Sequence, residues 1–273
     1  GGVQAFLLNY YKKIDKQKVQ FAFVVQRQDD FPYDNEICKM GGRVHKVTRM
    51  NESIIEYYRD LKKIIEKYPE YKIVHSHMNH RNGIALLICK ILQVPIRISH
   101  AHNLGPHFKL LVYFRVQILK IINKFVATDY FACSTEAGKY LYGNNLNYKV
   151  INNAIDASLF IYSEERRSKM RRSLKLSNEY AIGHIGNFSE QKNYFFLIDV
   201  FSLLKGNYKL LLIGTGKLES EVRNYVNEKK LSDKVDFLGV RDDIPMLMQA
   251  LDLFILPSKY EGFGIVAIES QAS

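Results

Sequence analysis

The chain has 273 residues, 47% hydrophobic and 25% charged, which suits one large or two ordinary globular domains. Its charge of +11 is uneven: residues 1–157 carry 23 Lys+Arg against 13 Asp+Glu, and residues 158–273 carry 16 against 15. No apolar run approaches the ~18 residues of a membrane span, and Cys38, Cys89 and Cys133, scattered without a C-x-x-C, argue against a disulfide framework or zinc site and fit a reducing cytosol. The opening residues show no secretory signal, and without a starting Met the chain reads as a fragment. A basic first half suits nucleic acid, anionic lipid headgroups or phosphorylated substrates, or merely solubility.

Apolar residues at helical spacing predict a helix over Val3–Ile14. A helix opening directly behind Gly1-Gly2 implies a preceding strand that the chain lacks. Strands follow at Phe21–Val25 and Val44–Val47, then an amphipathic helix over Ser53–Tyr68 ended by Pro69. Next come strand Lys72–His75, helix Gly83–Leu92, strand Ile96–His100, a long helix Phe108–Val126, strand Tyr130–Ser134, helix Thr135–Tyr142 and a short strand at Val150–Ile151. This alternation predicts one parallel sheet covered on both faces. After the turn Asn152–Asp156 and a charged helix Ser163–Leu174, a second series begins. It comprises strand Ala181–Ile185, helix Tyr194–Leu204, strand Lys209–Ile213, helix Leu218–Lys229, strand Val235–Leu238, helix Ile244–Ala250 and a strand reaching Leu256.

The last stretch, PSKYEGFGIVAIE, places Glu261 and Glu269 around a glycine-flanked turn between that strand and a new helix. Such turns bind ligands in open α/β sheets: glycines let backbone N–H groups approach a phosphate, and a carboxylate can take two sugar hydroxyls. Ile213–Glu219 begins like a dinucleotide fingerprint, but Glu219 stands where the third glycine belongs, so a tight turn without ligand is expected there. Lys192, near a helix start where a cation is unfavourable, hints at an anion.

Six histidines (His75, His77, His80, His100, His102, His107) cluster past two strand ends. No cysteine or paired carboxylate accompanies them, and the pairs His75/His77 and His100/His102 are expected to alternate faces. Hydrogen bonding to sugar or phosphate is therefore favoured over metal. Helix Phe108–Val126 is apolar but carries Lys109, Arg115, Lys120 and Lys124; it suits an anionic bilayer surface or, slightly better, a core helix with a basic wet side. With no Trp and no binding motif, nucleic acid is not expected.

Together GGVQAFLLNYY, VPIRISHAHN, FACSTEAGKYLYG, VINNAID, IGNFSEQKN, LLLIGTGKLESEV and the run from FLGV to EGFGIVAIE resemble the retaining GT-B glycosyltransferases. The likeness is to the capsular and exopolysaccharide (EpsF-like) branch of the glycosyl transferases group 1 family. It spans nearly the whole chain, and the glutamate, seven residues, glutamate block is its most specific part.

The resemblance implies an α/β fold of two Rossmann-like domains with parallel sheets facing a cleft. Residues 1–157 would form the acceptor-side domain with its first strand missing, and 158–273 a truncated donor-binding domain. It implies a metal-independent hexosyltransferase that retains anomeric configuration and needs no cofactor, its donor a nucleotide-diphosphate sugar. The acceptor would be a lipid-linked glycan, met in the cytoplasm with peripheral contact to an anionic inner membrane face through the basic domain. Carried over by position, Glu269 would bind the ribose; Glu261 and the backbone of Gly262, Phe263, Gly264 and Ile265 would hold the sugar and diphosphate. Lys192 would pair with the diphosphate, His102 would reach the donor sugar, Gly2 would line the phosphate side, and Val240 would sit near the base. Asn187 replaces the family's arginine, removing a charge-assisted contact. That departure and the truncation admit a catalytically impaired nucleotide-sugar binder; a sugar-nucleotide epimerase of the same fold lacks its carboxylate pair.

Overall fold

The computed structural model describes residues 2–30, 32–104 and 110–273. The chain divides into two compact units, Val3–Asn153 and, with the first two residues grouped to it, Ala154–Ser273. The first contains α1 (Gly2–Lys13), β1 (Ala22–Val25), α2 (Pro32–Lys39), β2 (Arg43–Lys46), α3 (Ile54–Lys67), β3 (Ile73–Ser76), α4 (Asn82–Ile91), β4 (Ile96–Ala101), α5 (Leu110–Val126), β5 (Asp129–Ala132), α6 (Thr135–Tyr142) and β6 (Lys149–Val150). Helix starts follow their capping residues: the Ser53 and Ser134 hydroxyls accept from the Glu56 and Ala137 N–H groups.

The strands are parallel but form two sheets, β1–β2 and β3–β4–β5–β6, where a single sheet was expected. Among the described residues, one edge each of β1 and β3 has no ladder partner, and Val24 of β1 and Ile73 of β3 are exposed. Helix α2, PYDNEICK, escapes prediction because it buries little apart from Ile37 and shows no apolar period.

Beneath the ends of β3 and β4 lies a buried polar cluster. The Asn82 amide oxygen accepts from Ser76 Oγ (2.8 Å) and the Met78 N–H (2.6 Å), and its nitrogen donates to Ser99 Oγ (2.9 Å) and the His100 carbonyl (3.1 Å). Asn123 of α5 donates to Ser99 Oγ (3.0 Å), and Tyr142 of α6 to the Ser99 carbonyl (2.7 Å). These bonds fix three helices to two strand ends. Gly83 permits the closest approach: a Cβ there would lie 2.6 Å from the Leu119 carbonyl of α5.

The second unit contains α7 (Glu164–Ser173), β7 (Tyr180–Ile185), α8 (Tyr194–Ser202), β8 (Tyr208–Ile213), α9 (Glu219–Glu228), β9 (Val235–Gly239), α10 (Ile244–Ala250), β10 (Leu253–Phe254) and α11 (Ile265–Gln271). Its parallel sheet runs β10–β7–β8–β9. The two-residue strand period is plain: Ile182, Leu210 and Leu212 pack under α8 and α9, whereas Ala181, Leu211 and Ile213 pack under α10. The basic helix α7 is anchored inward: Arg167 and Arg171 both pair with Asp252, which also accepts the Ala181 N–H (2.7 Å). β10 covers Leu253–Phe254, shorter than the strand expected to reach Leu256, although the Asp252 and Ile255 N–H groups still donate to Ala181 and Gly183 of β7 (2.8 and 2.9 Å).

Candidate active site

Loops leave the C-terminal ends of β7, β8 and β10, the edge where open parallel sheets bind ligands. They interlock through the backbone: the Gly186 N–H donates to Ile213 (2.9 Å), Phe188 to Thr215 (3.1 Å) and Leu218 to Phe188 (3.1 Å). At Gly214, where φ is +133°, a Cβ would collide with the Gly186 carbonyl; at Gly216 it would come within 2.5 Å of the Phe188 backbone. These two glycines therefore serve loop packing. Glu219 is taken by Thr215 (3.0 Å) and Arg223 (2.8 Å).

The β7 and β10 loops are tied more tightly. The Lys259 N–H donates to the Gln191 carbonyl (2.8 Å), the Gln191 amide to Tyr260 (2.9 Å) and the Asn193 amide to Pro257 (3.2 Å). This brings Lys192 Nζ to 2.6 Å from Glu261 Oε1, with both side chains largely buried. The lysine stem lies over Gly186, where a Cβ would stand 3.0 Å from Lys192 Cε. Largely desolvated, the pair is costly to break unless another ion replaces the missing partner.

Gly262, Phe263 and Gly264 lead from this pair, partly exposed, into α11; Gly264 turns the chain at φ +66°, and buried Ile265 seats the helix. Glu269 follows on α11, half-buried, with no hydrogen-bond partner for its carboxylate among the described residues. Burial pushes its pKa up. A carboxyl so placed suits two hydroxyl donors, which would satisfy its oxygens and favour the charged form.

Asn187 is exposed, its amide oxygen 3.4 Å from Ser189 Oγ. Val240 is 67% exposed just beyond β9, after Gly239 at φ +66°. Gly2, expected to line the phosphate side, is the first residue of α1, exposed and with open space where a Cβ would sit. His184 went unnoticed in the sequence. It is wholly buried in β7, its Nδ1 2.9 Å from the Ile255 carbonyl, its Nε2 unpaired and its pKa lowered to about 4 by burial. A histidine inside the apolar run Tyr180–Ile185 was the available signal.

In the first unit, the histidines correct the expectation of alternating faces. Residues i and i+2 of a strand share a face, and all four gather on one patch. His75 Nε2 lies 3.1 Å from His100 Nδ1, and His77 Nδ1 lies 2.7 Å from His102 Nε2. Phe6 of α1 packs its ring against His100 and His102, and Asn79 Oδ1 accepts the His102 N–H (2.8 Å). Burial, reinforced by the neighbouring imidazoles, lowers His102 to about 4 and His100 to about 2, and holds His77 far down too; His75, packed against His77 and His100 on one side, is lowered by desolvation. The cluster is neutral near pH 7. His75, His77 and His100 present nitrogens within 4.8 Å of one another, a spacing that admits a metal, but His75 and His77 already spend a nitrogen each on His100 and His102. His80 stands apart, its pKa lowered by burial and by Arg81, Lys120 and Arg115; His107 lies outside the described residues.

Residues 1–159 match the model described as Glycosyltransferase Family 4, and residues 165–273 that of Glycosyl transferases group 1. Across all of the chain and 74% of the relative, it is 31% identical to the glycosyltransferase EpsF of Bacillus subtilis. Over 81% of the chain and 59% of the relative, it is 23% identical to the UDP-Gal:alpha-D-GlcNAc-diphosphoundecaprenol alpha-1,3-galactosyltransferase of Escherichia coli. Anabaena HepE, crystallised with UDP, superposes at a TM-score of 0.75 and 22% identity over all of this chain and 75% of its own, a likeness of fold. The fold is of GT-B type, and the chain belongs to the group 1 and family 4 glycosyltransferases.

Proposed function

We propose that the protein is a retaining, metal-independent glycosyltransferase that moves a hexose from a nucleotide-diphosphate donor to a lipid-linked glycan during capsular or exopolysaccharide assembly. The observation that carries this reading is the largely buried Lys192–Glu261 pair, followed along the chain by the partnerless, half-buried Glu269. Breaking the bond between the sugar C1 and the diphosphate oxygen leaves extra negative charge on the phosphates. Lys192 moves from Glu261 to those oxygens, supplying the cation that a metal would otherwise provide, and the N–H groups of Gly262, Phe263 and Gly264 add hydrogen bonds. Glu261, released, takes sugar hydroxyls.

Glu269 accepts from the ribose hydroxyls, and exposed Val240 offers an apolar rest for the base. The acceptor hydroxyl bonds to C1 on the face the diphosphate leaves, and its proton passes to a departing phosphate oxygen, so no protein nucleophile is required. In the first unit, His102 is assigned a hydrogen bond to a sugar hydroxyl, which a neutral imidazole makes without adding charge. Gly2, exposed at the start of α1, leaves room for phosphate. UDP as donor nucleotide is supported by the HepE complex and the Escherichia coli relative, and a lipid diphosphate acceptor by the latter's name.

No helix among the described residues is long and apolar enough to cross a membrane; contact with such an acceptor is assigned to the inner face of the membrane. Asn187, exposed where the resemblance expects arginine, favours as second reading a nucleotide-sugar binder without turnover. A thermal-shift screen across uridine, guanosine and adenosine diphosphates and their sugars, with release of nucleotide followed in a chelator, tests both. A raised midpoint with turnover supports the transferase. A raised midpoint without turnover leaves the binder, and no shift with any nucleotide contradicts both.

A further inference from the structure

We infer that the histidine patch of the first unit is a binding site for a transition-metal ion of the zinc type, with His75, His77 and His100 as its ligands. The expectation that disfavoured a metal rested on these rings alternating between faces. Sharing one face of the paired strands β3 and β4, they converge instead. One nitrogen from each of the three lies within 4.8 Å of the other two. Tetrahedral zinc sits about 2.0–2.1 Å from imidazole nitrogen and so spaces its ligands roughly 3.4 Å apart. Small side-chain rotations therefore close the site.

The contacts already present leave ligand atoms free. His75–His100 and His77–His102 each use one nitrogen per ring, and an imidazole has two. A ligating histidine commonly donates its other N–H to a neighbouring acceptor, which fixes its tautomer; His102 can accept such a bond from His77. His100 adds an orphaned atom: the residue is fully buried, yet its Nε2 has no hydrogen-bond partner among the described residues. Buried polar atoms of that kind are rare and call for a partner. The Asn82 amide bonds to the Met78 N–H and the His100 carbonyl, so both strand ends present their rings from a fixed base.

The donor set selects the ion. Imidazole nitrogen suits zinc, copper and nickel, whereas magnesium and calcium take oxygen ligands, and the cluster contains no carboxylate. Burial lessens from His100 through His77 to exposed His75, which leaves a way in and a fourth position for water. A bound ion would fix His77, whose Nδ1 lies 2.7 Å from His102 Nε2. Zinc would thus restrain His102 and inhibit a transfer that needs no metal. That consequence, unlike the site, rests on the sugar contact proposed for His102.

Calorimetric titration of zinc ion into the metal-free protein is the test, with saturable binding expected for zinc and none for magnesium. His75→Gln removes the outermost ligand and is expected to weaken zinc binding at least roughly tenfold, with nucleotide affinity unchanged. His45→Gln, altering a histidine that lines a separate cavity beside exposed Cys38, is expected to bind zinc as the unaltered protein does. Cobalt ion in the unaltered protein is expected to give the visible bands of tetrahedral nitrogen coordination without thiolate charge transfer, a readout that needs no variant. No zinc binding, equal affinity in His75→Gln, a loss in His45→Gln or a thiolate band overturns the inference. Zinc is expected to slow turnover of the unaltered protein and to spare His75→Gln; equal slowing of both overturns the link to His102. Absence of any turnover would instead count against the transferase reading, and the zinc isotherm decides the site regardless.

Discussion

Each unit gathers polar groups at the C-terminal ends of parallel strands, but in opposite electrostatic states. In the first, burial keeps His77, His100 and His102 neutral, on a base of buried amides and hydroxyls centred on Asn82 and Ser99. In the second, Lys192 and Glu261 are held as an ion pair between two loops, beside a helix carrying an unpartnered carboxyl. The first arrangement can orient hydroxyls through neutral hydrogen bonds. The second can exchange one anion for another. A sugar transfer from a diphosphate needs both abilities, and the charged site is where leaving-group stabilisation would be lost most sharply.

Changes that attack the comparison should rank accordingly. Lys192→Ala is expected to lower kcat roughly 10²–10³-fold, the scale of losing one preorganised stabiliser of developing charge; a steady-state rate within threefold of the unaltered protein would place the leaving-group role elsewhere. Asn82→Ala strips partners from Ser76, Met78 and Ser99 at once and should cost about 3 kcal/mol of stability by denaturant titration. If that variant unfolds at the same midpoint, the histidine patch does not depend on this base.

pH separates the sites further. With folded pKa values near 2 for His100 and near 4 for His102 and His184 against 6.5 when unfolded, the unfolded chain takes up protons first as pH falls. Their contribution is complete above pH 6.5 and is lost progressively towards pH 4, at up to about 1.4 kcal/mol per pH unit for each histidine. A midpoint flat from pH 7 to 5 would contradict buried neutral imidazoles. Smallest in effect, Asn187→Arg should tighten nucleotide-diphosphate binding about tenfold by adding a charge-assisted bond; unchanged calorimetric affinity would mean that position 187 does not face the phosphates.

Much of this was legible from residue patterns. Strand and helix alternation predicted nearly every element, and the pattern Gly262-Phe263-Gly264 between two glutamates marked the turn the structure forms. What escaped has physical causes. Helix α5 is apolar on nearly every side, so periodicity could not say which face is buried; Asn123 and the gap at Gly83 decide that, through partners distant in sequence. Asn82 and Ser99 look like ordinary interruptions of apolar runs until Tyr142 and Asn123 converge on them. Lys192 hinted at an anion by its position near a helix start, yet its partner Glu261 lies 69 residues away, brought to it by strand pairing and by loop bonds that no local pattern shows.

The central claim is that Glu269 and the Lys192–Glu261 pair form a donor site, and calorimetric titration of uridine diphosphate into the protein and its Glu269→Ala variant tests it most directly. The account predicts measurable binding to the unaltered protein and at least roughly tenfold weaker binding to the variant, the loss of hydrogen bonds to a charged carboxylate. Equal affinity in the two proteins, with both folded, would contradict it.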